Sequence, residues 1–240
     1  MGIYFEERGT KTAPTILFVH GAFTDSRSLL NQVDHFSDYH CILVDLPECG
    51  KSYNVKPFTF TKSAEHIAQI IKSTANGGKA HVVGHSFGGI VVRKLLSIYP
   101  ELVDHAVIGS ANLRTSNFYS FGASLIGSNY CYLLNKKNFK KENISFDLYR
   151  RTMKDAIDNF VIPEELYQVK TPTLLVAGEK EPKFIKESNK DLLKVLENSK
   201  AVIIKNAKHN YYCDNYEIFN TLIRNWISDS DITNENIISI

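Results

Sequence analysis

Gly84-His85-Ser86-Phe87-Gly88 follows the apolar run Ala80-His81-Val82-Val83 and precedes Gly89-Ile90-Val91-Val92-Arg93-Lys94-Leu95-Leu96-Ser97-Ile98-Tyr99, which Pro100 stops. The first run reads as a buried strand. The segment after the serine is apolar around most of its circumference, so it reads as a buried helix. In a G-x-S-x-G turn from strand to helix the chain bends so sharply that the residues two before and two after the serine must lack bulk, while the serine takes a strained backbone conformation. Gly84 and Gly88 meet that demand, and Gly89 adds room. Three fixed positions are a weak pattern by themselves; the order strand, tight turn, buried helix gives them weight. Ser86 is therefore the candidate nucleophile.

A serine that attacks an acyl carbon needs preorganised N–H donors for the charge of the tetrahedral intermediate. Thr15-Ile16-Leu17-Phe18-Val19 is an apolar strand candidate that ends in His20-Gly21-Ala22-Phe23, where the glycine lets a loop curl back toward the serine. The expected donors are the N–H groups of Ala22 and of Phe87, the residue after the nucleophile. A third run, Cys41-Ile42-Leu43-Val44, leads into Asp45-Leu46-Pro47-Glu48-Cys49-Gly50-Lys51-Ser52. On these three segments the chain resembles the α/β-hydrolase superfamily, in which an HG-x oxyanion loop, a DLPGHGxS-like loop and a GHSxGG elbow follow in this order. The resemblance covers nearly the whole chain and implies an α/β fold: a mostly parallel twisted sheet covered by helices on both faces, with a small helical cap. Glu48 and Cys49 stand where the family usually has Gly-His, a departure that bears on the shape of a non-catalytic loop.

The serine requires a base, and the base an orienting acid, in the chain order Ser, Asp or Glu, His. His209 lies after the strand candidate Ala201-Val202-Ile203-Ile204 and before an amphipathic helix carrying Ile218, Phe219, Leu222, Ile223, Trp226 and Ile227. That position matches the catalytic histidine of the family, although Lys208 replaces the usual preceding glycine. His105 falls inside an apparent strand and reads as a sheet position; His20 reads as a brace for the oxyanion loop. His85, next to Ser86, should project away from it; with Phe23 it is assigned to substrate binding. For the acid, Thr173-Leu174-Leu175-Val176-Ala177 opens into Gly178-Glu179-Lys180-Glu181-Pro182. The family commonly has G-x-x-D here, which puts Glu181 at the matching position and leaves Glu179 as its rival.

Composition agrees. One α/β domain with an insertion suits 240 residues of which 43% are hydrophobic, and a net charge of +2 gives no reason to expect nucleic acid. No apolar stretch approaches the roughly 18 residues of a membrane helix, and the N-terminus lacks a signal-type apolar region, so a cytoplasmic location is the default. Cys41, Cys49, Cys131 and Cys213 have no metal-type spacing and read as thiols, Cys49 among them as a loop filler. Gly50-Lys51-Ser52 imitates the end of a P-loop, yet the glycine required five positions earlier is Asp45. Neither a metal nor another cofactor is expected.

Strands near 15–19, 41–45, 80–84, 102–109, 172–178 and 201–205, after a short β-like start at Ile3-Tyr4-Phe5-Glu6, alternate with helices. The alternation breaks between Asn112 and Lys170, where strand candidates are absent and aromatics frequent: Phe118, Tyr119, Phe121, Tyr130, Tyr132, Phe139, Phe146, Tyr149, Phe160 and Tyr167. By the resemblance this is the helical cap, residues 112–168, inserted after the sixth strand into a core made of 1–111 and 169–240. The basic run Lys136-Lys137-Asn138-Phe139-Lys140-Lys141 reads first as a solvated cap surface and second as a contact for an anionic substrate tail. The end of the chain from Ser228 is polar and is expected to fray.

Together these readings imply a cofactor-free serine hydrolase of small carboxylic esters or thioesters, with Ser86, His209 and Glu181 as its triad. A ligand-binding regulator or receptor with little turnover, or a C–C bond hydrolase or lyase on the same triad, are the alternatives, because fold does not settle function.

Overall fold

The structure, a computed structural model, describes residues 2–113, 125–142 and 144–240. Among these, eight strands form one sheet: β1 (Phe5–Gly9), β2 (Thr15–Val19), β3 (His40–Val44), β4 (Ala80–His85), β5 (Val103–Gly109), β6 (Thr173–Gly178), β7 (Ser199–Ile204) and β8 (Ile237–Ser239), in the order β1-β3-β2-β4-β5-β6-β7-β8. The six inner strands pair in parallel, and β1 and β8 pair antiparallel at the two edges. The helices are α1 (Leu30–His35), α2 (Phe60–Thr74), α3 (Phe87–Ile98), α4 (Leu125–Leu134), α5 (Lys136–Lys141), α6 (Phe146–Asp158), α7 (Lys183–Leu193), α8 (Tyr211–Asp214) and α9 (Tyr216–Ile227).

The inner strands are apolar on consecutive residues because both faces are covered, as parallel sheets require. Alternate side chains then serve two cores: Leu17, Val19, Ile42 and Val44 join the core under α2 and α3, and Ile16, Phe18, Cys41 and Leu43 join the one under α1 and α9. Leu148, Tyr149 and Met153 of α6 belong to the first core, so the inserted helices share the α2–α3 layer. Local signals set the helix starts: the Thr59 hydroxyl accepts from the Lys62 N–H at the start of α2, and the Ser145 hydroxyl accepts from the Leu148 N–H at the start of α6.

Three expectations need correction. The helical insertion follows the fifth strand of the chain, β5, not a sixth, because only β1 to β4 precede it. The first strand lies at Phe5–Gly9, slightly beyond the β-like start, where its register with β3 pairs Phe5 with Val44 and Gly9 with His40. The chain end does not simply fray: Ile237–Ser239 adds as β8 to the open edge of β7, Ile204 opposite Ile237, and buried Ile232 anchors the approach. Phe118, Tyr119 and Phe121 of the aromatic set lie outside the described residues.

Candidate active site

The chain runs from β2 to β3 on one side and then returns to place β4 on the other side of β2, so the strand order reverses between β2 and β4. In an open α/β sheet the crevice beyond the carboxyl ends of such strands is where ligands bind. β2 ends at the His20-Gly21-Ala22-Phe23 loop and β4 ends at Ser86.

Ser86 has φ 57° and ψ −118°, a left-handed backbone that costs a non-glycine residue about 1–3 kcal/mol. Its neighbours enforce it. A Cβ on Gly84 would run into the Gly88 carbonyl, and one on Gly88 into the Val19 carbonyl, so α3 can leave β4 at this angle only with glycine at both places. The Ser86 N–H donates to the Gly109 carbonyl at 2.7 Å, which ties the turn to β5. Gly21 stands close on the other side: a Cβ built on it would lie 3.5 Å from the Ser86 Cβ.

The loop after β2 is held by His20, which is fully buried. Its Nε2 accepts from the Leu46 N–H at 3.0 Å, which fixes the tautomer with the proton on Nδ1, and that Nδ1–H donates to the Gly21 carbonyl at 2.8 Å. Burial pulls the His20 pKa down, so the ring holds as a neutral brace. The Phe87 N–H opens α3 and has no acceptor one helical turn before it. Ala22 and Phe87 both line one small apolar pocket with Gly21.

Glu181 and His209 meet. The His209 Nδ1 lies 2.6 Å from Glu181 Oε1, and Glu181 Oε2 accepts from the Gly178 N–H at 2.8 Å and the Ser110 hydroxyl at 2.6 Å. The carboxylate side chain is 1% exposed and the imidazole 47%, so the acid is enclosed while the ring stays open to solvent. Glu179 does something else: its Oε2 accepts from the Asn206 N–H at 2.7 Å, steadying the loop that carries His209 without touching the ring. Sequence reasoning missed Ser110, which sits in left-handed backbone (φ 51°) immediately after β5; its place at a strand's carboxyl end was the available signal. It also missed Tyr211, whose hydroxyl oxygen lies 3.2 Å from the Ser110 Oγ and whose pKa is pushed well up by burial and then by the Glu181 charge.

His85 departs from its expected role. It is buried behind the imidazole, its ring 4.8 Å from that of His209, 5.1 Å from Tyr211 and 4.4 Å from Tyr212, and it does not line the apolar pocket. The chain direction at the elbow throws consecutive side chains to opposite sides, which sends His85 into the second layer. Burial, followed by the His209 charge, drives its pKa well down, so it packs as a neutral wall.

Phe23 does line the pocket, with Leu46, Phe58 and Phe87 from the core and Leu148 and Thr152 from α6. Its ring, carried on left-handed backbone (φ 56°), lies 5.4 Å from Phe139 and 5.4 Å from Tyr149. The aromatic packing leaves a cavity of about 10 Å³, room for at most one water. Beyond Cys49 and Leu148, which wall both spaces, lies an open polar cavity of about 690 Å³. Cys49 is a thiol whose pKa burial pushes up to about 12, with Asp45, Asp25 and Glu48 adding to the shift.

Polar contacts hold the inserted helices onto the core. Arg151 of α6 donates to both Glu48 oxygens at 3.1 Å, Asp155 accepts from the Phe60 N–H at 2.8 Å, and Arg93 of α3 donates to the Asn159 carbonyl at the end of α6. Glu48, with φ 61° where the family has glycine, also accepts from the Phe58 N–H at 2.8 Å. His105 lies in β5 against His81 and Trp226, 3.3 Å from Asp229, remote from this arrangement. Among the described residues no cluster of metal-ligating side chains occurs, and no helix is long and apolar enough to cross a membrane.

Ser86 on its strained strand-to-helix turn, the loop after β2, and His209 against the buried Glu181 all follow carboxyl ends of strands of one sheet. The family described as alpha/beta hydrolase fold matches residues 14–136, just over half of the chain, and the chain belongs to it. An AB hydrolase superfamily protein of Gibberella zeae is 35% identical over 112 residues, which is 44% of this chain and 38% of that protein. Lipase 1 of Psychrobacter immobilis is 21% identical over 258 residues, covering 91% of this chain and 80% of the lipase. Among solved structures, a lipase-esterase related protein from Clostridium acetobutylicum superposes with a TM-score of 0.76 at 22% identity, over 94% of this chain and 100% of that one.

Proposed function

We propose that the chain is a cofactor-free serine hydrolase that cleaves small carboxylic esters or thioesters through an acyl-enzyme. Ser86 attacks the acyl carbon as its proton passes to His209 Nε2, and the Ala22 and Phe87 N–H groups receive the oxyanion. The C–O or C–S bond then breaks, and His209 returns the proton to the leaving alcohol or thiol. Water, deprotonated by the same imidazole, attacks the acyl carbon and releases Ser86. Glu181 holds the ring with its proton on Nδ1 and stabilises the imidazolium. Relatives named lipase and lipase-esterase support the ester class.

The observation that carries the reading is the 2.6 Å contact of the buried Glu181 with His209, on the same sheet edge as a serine in a glycine-enforced left-handed turn. The apolar pocket beside the elbow, with Phe23, Phe87 and Leu148 in its wall, has room for about one water, so in this reading an acyl group enters it only as those side chains yield. Labelling by a fluorophosphonate probe and, on untreated protein, turnover of p-nitrophenyl acetate test the reading: the wild type should do both, and Ser86→Ala should not label and should turn over slower by several orders of magnitude. Unchanged hydrolysis by Ser86→Ala refutes the mechanism, and labelling with a burst but no steady turnover marks a binding protein instead.

A further inference from the structure

The lysines of the basic run singled out in the sequence do not line the apolar pocket. The run forms α5, where Lys136, Lys137, Lys140 and Lys141 are all exposed. Lys141 has Glu142 at 3.9 Å, while Lys136, Lys137 and Lys140 have no carboxylate partner among the described residues. The stretch 125–142 holds four lysines against the single acid Glu142, so this one patch carries more positive charge than the +2 of the entire chain.

Directly before it, α4 turns one face inward and leaves another bare. Cys131 is buried, and Tyr132 donates to the Ile144 carbonyl at 3.0 Å and stacks on Phe139 at 5.4 Å. On the outer side Ile126, Leu133 and Leu134 are 78%, 63% and 68% exposed. At about 100° of rotation per residue, positions i, i+7 and i+8 fall within an arc of roughly 100°. Single exposed aliphatics are ordinary on a monomer; three on one helix face continuous with a lysine cluster are not.

We propose that the outer face of α4 and α5 docks the protein on an anionic phospholipid surface, with Ile126, Leu133 and Leu134 entering the acyl boundary and the lysines lying among the phosphates. The chemistry fits this occupant and not the others. A second copy meeting the patch across a twofold axis would set each lysine cluster against its own kind. An acidic polypeptide would satisfy the lysines and leave the three aliphatic side chains in water. A lipid interface takes both, in the arrangement of a basic face beside an apolar one. The docking is independent of turnover.

Sedimentation with phosphatidylcholine vesicles, with and without phosphatidylglycerol, tests it. The protein should bind the anionic vesicles, bind the neutral ones far less, and dissociate with rising salt. Each lysine is worth about 5-fold in partitioning, so Lys136→Glu/Lys137→Glu/Lys140→Glu should weaken binding at least about 100-fold. Leu133→Ser/Leu134→Ser should also weaken it, while both variants keep wild-type hydrolysis of a water-soluble short ester, which shows that they fold. Equal binding to the two vesicle types, or unchanged binding of the lysine variant, overturns the proposal. So does a dimer in solution that the leucine variant dissociates, or capture of polyglutamate, if anionic vesicles are not bound.

Discussion

Replacing Glu181 by Gln removes one charge and almost no volume, and the surroundings dictate what the amide must do. Two donors, the Gly178 N–H and the Ser110 hydroxyl, converge on Oε2 at 2.8 and 2.6 Å, so the amide oxygen has to occupy that position. The NH₂ group then faces His209 Nδ1, the atom that donates to Oε1 in the wild type. Two donors cannot share that contact, so the imidazole gives up its Nδ1 proton and carries it on Nε2, the atom that must accept from Ser86. The imidazolium also loses its counter-charge. In a triad the same loss of an Asp charge lowers kcat by about 10⁴-fold, equivalent to about 5.5 kcal/mol of transition-state stabilisation. Burial of this carboxylate, 1% exposed, leaves no water to substitute for it. With p-nitrophenyl acetate at pH 8, Glu181→Gln is therefore expected near 10⁻⁴ of wild-type kcat by this principle. Glu179→Gln, which loses only a bond to the Asn206 N–H, should stay within about 10-fold. A Glu181→Gln protein that is folded by circular dichroism and retains a tenth or more of kcat refutes the assignment, and a crippled Glu179→Gln beside it would move the role to Glu179.

Phe23→Ala should open the plugged pocket and raise the ratio of kcat/KM for p-nitrophenyl hexanoate over acetate by at least about 10-fold, since each fitted methylene is worth roughly 1–3 kcal/mol; an unchanged ratio removes Phe23 from specificity. Arg151→Met leaves Glu48 with the Phe58 N–H as its remaining donor, so urea denaturation should show a loss of about 1–3 kcal/mol and the helices around α6 should be cut sooner by trypsin at other sites. Stability should fall on mild acidification. Burial lowers the pKa of His20, His81 and His85 in the folded protein, to about 4 for His81, so the unfolded state binds more protons below its ordinary pKa near 6.5. Stability is full above that value and is lost as the pH drops from about 6.5 toward 4, by up to about 1.4 kcal/mol per pH unit for each histidine. Urea midpoints at pH 7 and pH 5 read this, and His81→Gln should flatten the dependence; identical midpoints refute it.

What the sequence disclosed followed from backbone requirements. Ser86 was legible because only glycine fits at positions 84 and 88, and a collision with a carbonyl leaves its mark on composition. His209 and Glu181 were legible because each opens from the carboxyl end of an apolar strand, β7 and β6, and chain order then limits the choice. Choosing between Glu181 and Glu179 was beyond spacing alone. Both lie in one turn, and the distinction rests on the Gly178 N–H and on Ser110, which follows β5, 71 positions from Glu181 in sequence. His85 shows the same limit from the other side: adjacency to Ser86 rightly implies that its side chain projects away, while its assignment to substrate binding gives way to a place in the layer of Tyr211 and Tyr212.

The attachment of α4–α6 to the core was illegible for a physical reason. Helix periodicity reports which face is apolar, and α6 shows it through Leu148, Tyr149, Thr152 and Met153, but periodicity does not say which polar residues reach across. The apolar pocket has room for about one water, so under the proposed function a substrate enters only if Phe23, Tyr149 and Phe139 yield. Two of those rings ride on α5 and α6, whose hold on the core runs through Arg151 to Glu48, Asp155 to the Phe60 N–H, and Arg93 to the Asn159 carbonyl. Arg93 is fully buried on the helix that begins at the elbow, and burial alone draws its pKa down to about 9. One helix thus starts next to Ser86 and, through Arg93, holds the Asn159 carbonyl just after α6. In the proposed function, a displacement of α6 that admits substrate and breaks the Arg93 contact would couple opening of the pocket to the helix that follows Ser86.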